Sequence, residues 1–306
     1  MQTQTPDITT LCATLDEQRQ RYMQVFVMGA PMAFAALCAI GALMMTEDTG
    51  FPWMFVVFWT AIASLILFHV MNMKYRKRTK AALMRDLAAG IGLAFKADGV
   101  MTWDDVAPHA ILPPHDRCGI EDGFTGTIAN VPVAFQEMNL VDISRDRDGD
   151  TTETTVFHGA VIRIGIGKTL NAHTVIMPNG VAGRFWRTAF SKFEPVRLSA
   201  PDFENRFDVM GTDQLEAHYI LDPGFMESFL AVADHIGTKQ FEASFRGSEI
   251  LFAISRPGAL FEIGHLFHPL TPRDLTTVQN EIDAIEGLVN ALKLNPYTGL
   301  GAKIPD

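Results

Sequence analysis

The chain has 306 residues, 48% of them hydrophobic and only 20% charged, with a formal net charge of −10. That balance excludes a disordered, highly charged chain and argues against a nucleic-acid binder, because a negative surface repels phosphate. Cys12, Cys38 and Cys118 are widely spaced with no CxxC, which excludes a disulfide framework and suits a reducing compartment.

At the N-terminus, Ile8, Leu11, Cys12, Leu15 and Tyr22 fall on or near one helical face, so residues 1–22 read as a cytoplasmic helix. Two uncharged runs follow, 23–45 and 51–73, each of 23 residues. At helical rise each reaches roughly 34 Å, against a hydrocarbon core of roughly 30 Å, which predicts a transmembrane hairpin. The first run lies behind Asp7, Asp16 and Glu17 and a second follows at once, so it reads as an anchor and not as a cleaved leader. Small residues four apart, Gly29 and Ala33 then Ala35 and Ala39, suit close packing of the two spans.

The stretch KYRKRTK supplies Lys74, Arg76, Lys77, Arg78 and Lys80 at the end of the second run. Arg19 and Arg21 flank the first run, while the connecting loop carries Glu47 and Asp48 and no basic residue. Positive charge is retained on the cytoplasmic side, so both ends are expected there, with the lipid bilayer as the partner of the basic run. Anionic head groups add an attraction of about 1 kcal/mol per basic residue. Nucleic acid is the weaker reading: residues 81–306 hold 18 Lys and Arg against 30 Asp and Glu. Residues 74–98 read as a basic juxtamembrane helix, with Leu83, Met84, Leu87 and Ile91 as its apolar row.

From about residue 99 to 306 the texture becomes an α+β domain with mainly antiparallel strands. FTGTIANVPVAFQEM places a turn at Ala129-Asn130, VFHGAVIRIGI and HTVIMP follow as strands, and QFEASFRGSEILFAI turns at Gly247-Ser248. Between them, Asp213 caps a helix with Glu216 three positions on, and Asp222 caps another with Pro223 in its first position. Thr271 and Pro272 repeat that logic before an apolar stripe of Leu275, Val278, Ile282, Ile285, Val289 and Leu292.

Motifs that carry chemistry are weak. GIGKT at Gly165 to Thr169 lacks the earlier glycine of a phosphate loop, where Ile162 stands. DRDGD at Asp146 to Asp150 lacks the closing glutamate of a calcium loop and reads as a solvated turn. His109, His115, Asp116 and Cys118, and separately Glu262, His265 and His268, are zinc-type ligands without zinc-type spacing, so no metal and no cofactor is expected. DQLEAHY gathers Asp213, Glu216, His218 and Tyr219, which read either as an acid/base site or as helix caps with an apolar face from Leu215 to Tyr219.

The stretch VRLSAPDFENRFDVMGTDQLEAHYILDPGFMESFL, with Asp202-Phe203-Glu204, Phe207-Asp208-Val209, Asp213 to Leu221, Pro223 and Met226-Glu227, resembles the signature of a bacterial membrane family, domain of unknown function 3137. VFHGAVIRIGIGK, ending in Lys168, matches its upstream strand; His218 stands where the family usually has Arg, and the LNPYTG tail lacks the family's Trp. The resemblance implies two spans before a cytoplasmic domain, a bacterial inner-membrane location, no established activity and a membrane-protein partner of the LemA type. The expected function is thus a membrane-anchored interaction or scaffold module. The alternative is a tethered enzyme or small-ligand sensor around Asp213–Tyr219.

Overall fold

The structure, a computed structural model, describes residues 8–43, 53–128, 130–146, 149–180, 192–236, 240–256 and the single positions 258, 276, 280, 283, 284 and 287. The expected helix over 271–292 and the Glu262, His265 and His268 set fall largely or wholly outside these residues. The chain divides into two compact units, residues 1–86 with 262–277 and residues 87–261 with 278–306.

The first unit holds the continuous helix α1 (Ile8–Leu43) and all but the last four residues of the continuous helix α2 (Trp53–Gly90). Ion pairs between Arg19 and Asp16 (2.7 Å) and between Arg21 and Glu17 (2.6 Å) decorate the start of α1. A Cβ at Gly29 would sit 3.6 Å from Leu67, and Arg78 Nη1 donates to the Tyr22 hydroxyl at 3.1 Å, so the two helices pack antiparallel. Val25, Met28 and Met32 on α1 and Trp59, Leu65 and Ile66 on α2 remain exposed.

The expected transmembrane hairpin is corrected here, and with it the multi-pass inner-membrane placement. Among the described residues no helix is long and apolar enough to cross a membrane. Crossing requires about 20 consecutive, predominantly apolar residues. Pro31 stands inside α1, while Thr60, Ser64, His69 and Asn72 dilute α2 before its basic turns at Lys74, Lys77, Arg78 and Lys80. A smaller correction concerns residues 74–98: the helix stops at Gly90, and Leu93–Lys96 form strand β1, paired with β2 through Leu93↔Gly126 and Phe95↔Phe124.

The second unit is built on one sheet whose described pairings are all antiparallel, as the alternating patterns require. Its remaining strands are β2 (Arg117–Ile128), β3 (Val131–Arg145), β4 (Thr151–Pro178), β5 (Glu194–Pro195), β6 (Phe207–Gly211) and β7 (Phe241–Ser255). The helices are α3 (Trp103–Val106, running into a 3-10 turn to His109), α4 (Pro201–Glu204), α5 (Gln214–Ile220) and α6 (Pro223–Ile236). The β2–β3 turn reaches Asn130 with φ 65°, and between β3 and β4 Asp146 N donates to Asp150 O at 2.9 Å.

β7 folds back on itself. Fifteen extended residues would span about 50 Å, yet Ser255 N donates to Gln240 O at 3.0 Å across the strand's two ends. Gly247, at φ 59°, supplies the left-handed residue that the tip needs, where the sequence placed its turn. β4 runs around this hairpin: Gly159–Gly165 pair with Glu249–Ser255, and Leu170–Ile176 pair with Ala243–Gly247. The stretch 165–170 therefore passes the hairpin's tip, with Thr169 Oγ1 2.9 Å from Ser248 Oγ. Gly159 permits the closest approach, since a Cβ there would lie 2.0 Å from the Ile254 carbonyl oxygen.

Alternation along β7 sends its two residue sets to opposite faces. One set, Phe241, Phe245 and Phe252, joins Phe203, Phe207, Phe225 and Phe229 in an aromatic core, with Phe229–Phe241 centroids 4.7 Å apart and Phe207–Phe229 5.1 Å. The other set places Leu251 and Ala253 among Met138, Val161, Val175 and the α3 segment. The buried Gln136 ties that segment down: Oε1 accepts from Val100 N (2.9 Å) and Met101 N (2.7 Å), and Nε2 donates to Met101 O (2.8 Å).

Candidate functional site

Both helix starts read from the sequence form as side-chain caps. Asp213 Oδ1 accepts from Glu216 N at 2.8 Å and Asp222 Oδ1 from Phe225 N at 2.8 Å. Glu216 does not close the expected capping box. Its carboxylate reaches across to β4 instead, where Oε2 accepts from Asn171 N (3.1 Å) and Oε1 from Ala172 N (2.9 Å). The next residue is fixed as well: His173 N donates to Thr212 Oγ1 (2.9 Å), and Thr212 N donates to His173 O (3.0 Å).

These bonds build an open depression of about 570 Å³, lined by Lys168, Asn171, Ala172, Thr212, Asp213, Leu215, Glu216 and Tyr219. Lys168 Nζ lies 3.9 Å from the centre of the Tyr219 ring, a cation–π contact. Leu215 is 82% exposed and Tyr219 49% exposed, one turn apart on α5. Ala217 and Ile220 take the buried side of that helix, so the apolar face expected from Leu215 to Tyr219 points to solvent. The structure thus brings Asp213, Glu216 and Tyr219 together and adds Lys168, while His218 is exposed and outside the lining.

The arrangement limits the chemistry. Asp213 and Glu216 each spend carboxylate oxygens on backbone amides, and His218 is not turned toward them in the depression. What remains is a shallow amphipathic surface: an exposed leucine, a tyrosine ring and a lysine on a framework pinned by four hydrogen bonds.

Behind the wall at Asn171–His173 lies a polar cluster that sequence reasoning did not assemble. His109 Nδ1 is 3.0 Å and His173 Nε2 2.8 Å from the buried Ser244 Oγ, and His109 Nε2 is 2.9 Å from Glu249 Oε1. Burial lowers the pKa of His109, and burial with neighbouring His109 and Arg246 lowers that of His173 to about 4. On the same face of β7, Glu242 is raised to about 8 by burial, with Oε2 unpartnered. The other expected zinc-type residues are scattered: His115 packs edge-on to Trp103 with Nδ1 on Pro113 O, and Asp116 Oδ2 accepts from Ile143 N. No group of metal-ligand type assembles among the described residues.

No curated protein matches the chain. Among solved structures, it is similar to the crystal structure of the mycobacterial trehalose monomycolate transport factor A, TtfA, at 9% identity and a TM-score of 0.38, over 75% of this chain and 99% of that one. At that score the likeness carries no argument about fold or activity. Residues 155–294, which hold Lys168, the α5 depression and the β7 hairpin, match the family model described as protein of unknown function (DUF3137).

Proposed function

We propose that the chain is a non-enzymatic protein-interaction module and that the α5 depression is its docking face. The observation that carries this reading is the exposure of Leu215 beside Tyr219 and Lys168 on a hydrogen-bonded framework. Large aromatic and apolar side chains, held rigid and left uncovered, are the usual anchors of protein interfaces. Commitment of both carboxylates to backbone amides supports binding over acid/base chemistry. A LemA-type protein, the partner implied by the family resemblance, is the first to test.

The experiment places a photocrosslinking amino acid at position 215 or at position 218 of the full-length chain, with the LemA-type protein present. Crosslinks from 215 and none from 218 support the docking face; equal yields from both positions sink it. A second reading, a small-ligand sensor, draws on the depression's volume, which falls within the roughly 300–1,000 Å³ of ligand sites. A ligand screen by thermal shift, with Tyr219→Ala as control, separates the two.

A further inference from the structure

The cluster behind the depression has only one hydrogen-bond direction with both imidazoles neutral. A carboxylate oxygen can only accept, so His109 Nε2 carries the proton of its bond to Glu249 Oε1. His109 Nδ1 is then the acceptor and takes the Ser244 hydroxyl hydrogen. Ser244 Oγ, having donated, accepts from His173 Nε2. The chain runs His173 to Ser244 to His109 to Glu249, each group donating to the next. Phe193 covers the His173 ring at 4.9 Å.

One added proton disrupts this order. On His109 Nδ1 it turns that atom into a donor to Ser244 Oγ, and the serine's own hydrogen then has an acceptor only if His173 moves its proton from Nε2 to Nδ1, which reverses the chain. On His173 Nδ1 it leaves the donation to Ser244 in place but puts a cation in a half-buried site beside the neutral imidazole of His109, whose ring centre is 6.4 Å away. The surrounding charges do not welcome it. Arg246 from β7 and Arg163 from β4 face the cluster, against Glu249, which Arg163 Nε approaches at 3.8 Å. Glu216 lies on the far side of the wall, engaged with Asn171 and Ala172. Glu242, two residues from Ser244, shares its face of β7.

His173 also belongs to the docking face through its backbone. Its N and O are both bonded to Thr212, and the two residues before it are held by Glu216. A shift of the ring is therefore transmitted to the wall. We propose that the His173–Ser244–His109–Glu249 chain is a proton-sensitive latch that holds the Asn171–His173 wall, so that docking at the α5 depression is lost on acidification. The acid-sensitivity of docking rests on the reading of that depression as a docking face; the latch itself does not.

The test is hydrogen exchange on the full-length protein between pH 6.5 and 4.5, corrected for the intrinsic pH dependence of amide exchange. Protection at residues 171–173 falls by about tenfold or more, while Phe225–Ala233 in α6 stays protected. His173→Gln, whose amide can donate to Ser244 without titrating, shows no such fall. In Ser244→Ala the wall is already less protected at pH 6.5. A wild-type wall that keeps its protection at pH 4.5, an equal fall in His173→Gln, or full protection in Ser244→Ala overturns the latch. No partner enters this readout, so loss of the latch and loss of the docking face are separate results.

Discussion

Replacing Glu216 tests how the depression is held. In Glu216→Ala the amides of Asn171 and Ala172 lose a charged acceptor at 3.1 and 2.9 Å, while the Asp213 cap on the helix is untouched. A hydrogen bond to a charged group contributes roughly 1.5–3 kcal/mol. Asn171 is exposed and water replaces its acceptor, whereas Ala172 is half-buried, so the total loss is about 2 kcal/mol. Glu216→Gln keeps one carbonyl oxygen and loses about half of that. Urea unfolding followed by circular dichroism measures both variants. The order wild type, Gln, Ala with steps of about 1 kcal/mol is expected. Two variants indistinguishable from wild type, or a Gln variant weaker than Ala, would refute the pinning of the wall by this carboxylate.

Phe229 touches five other rings in the aromatic core, so Phe229→Ala costs about 4 kcal/mol, whereas the exposed Leu215→Ala stays within about 0.5 kcal/mol; thermal unfolding of the pair checks both. Gly247→Ala meets no neighbouring atom but must hold φ near 59°, and a loss of about 1 kcal/mol in urea measures that strain alone. Stability has two opposed pH slopes. The lowered His109 and His173 contribute stability that is whole above about 6.5 and is lost as pH falls toward about 4. The raised Glu242 contributes stability that is whole below 4.5 and is lost as pH rises through about 8. Glu242→Gln is therefore more stable than wild type at pH 8, with the advantage shrinking toward pH 4.5; a pH-independent difference contradicts the assignment.

Features set by near neighbours in the chain were legible from sequence. The Asp213 and Asp222 caps, the turn at Gly247-Ser248 and the β2–β3 turn each depend on a few adjacent residues. What was not legible depends on distant pairing. Nothing local says that β4 passes around the tip of the β7 hairpin, some 80 residues on, or that this brings Lys168 onto Tyr219. The histidine cluster draws one residue from the turn after α3, one from β4 and two from β7, so no spacing rule finds it. The Leu215–Tyr219 face turns outward because Ala217 and Ile220, the less conspicuous side chains, take the core. The described parts of the uncharged runs, 23–43 and 53–73, lie in long helices, yet no helix among the described residues is long and apolar enough to cross a membrane.

The most direct test of the account is capture of a LemA-type protein by the full-length chain, comparing wild type with Leu215→Asp and Tyr219→Ala after confirming unchanged unfolding midpoints. The docking reading predicts that each variant loses at least about tenfold in capture, the scale of a truncated interface anchor. Undiminished capture by both folded variants, or capture lost only when the core residue Phe229 is removed, would contradict it.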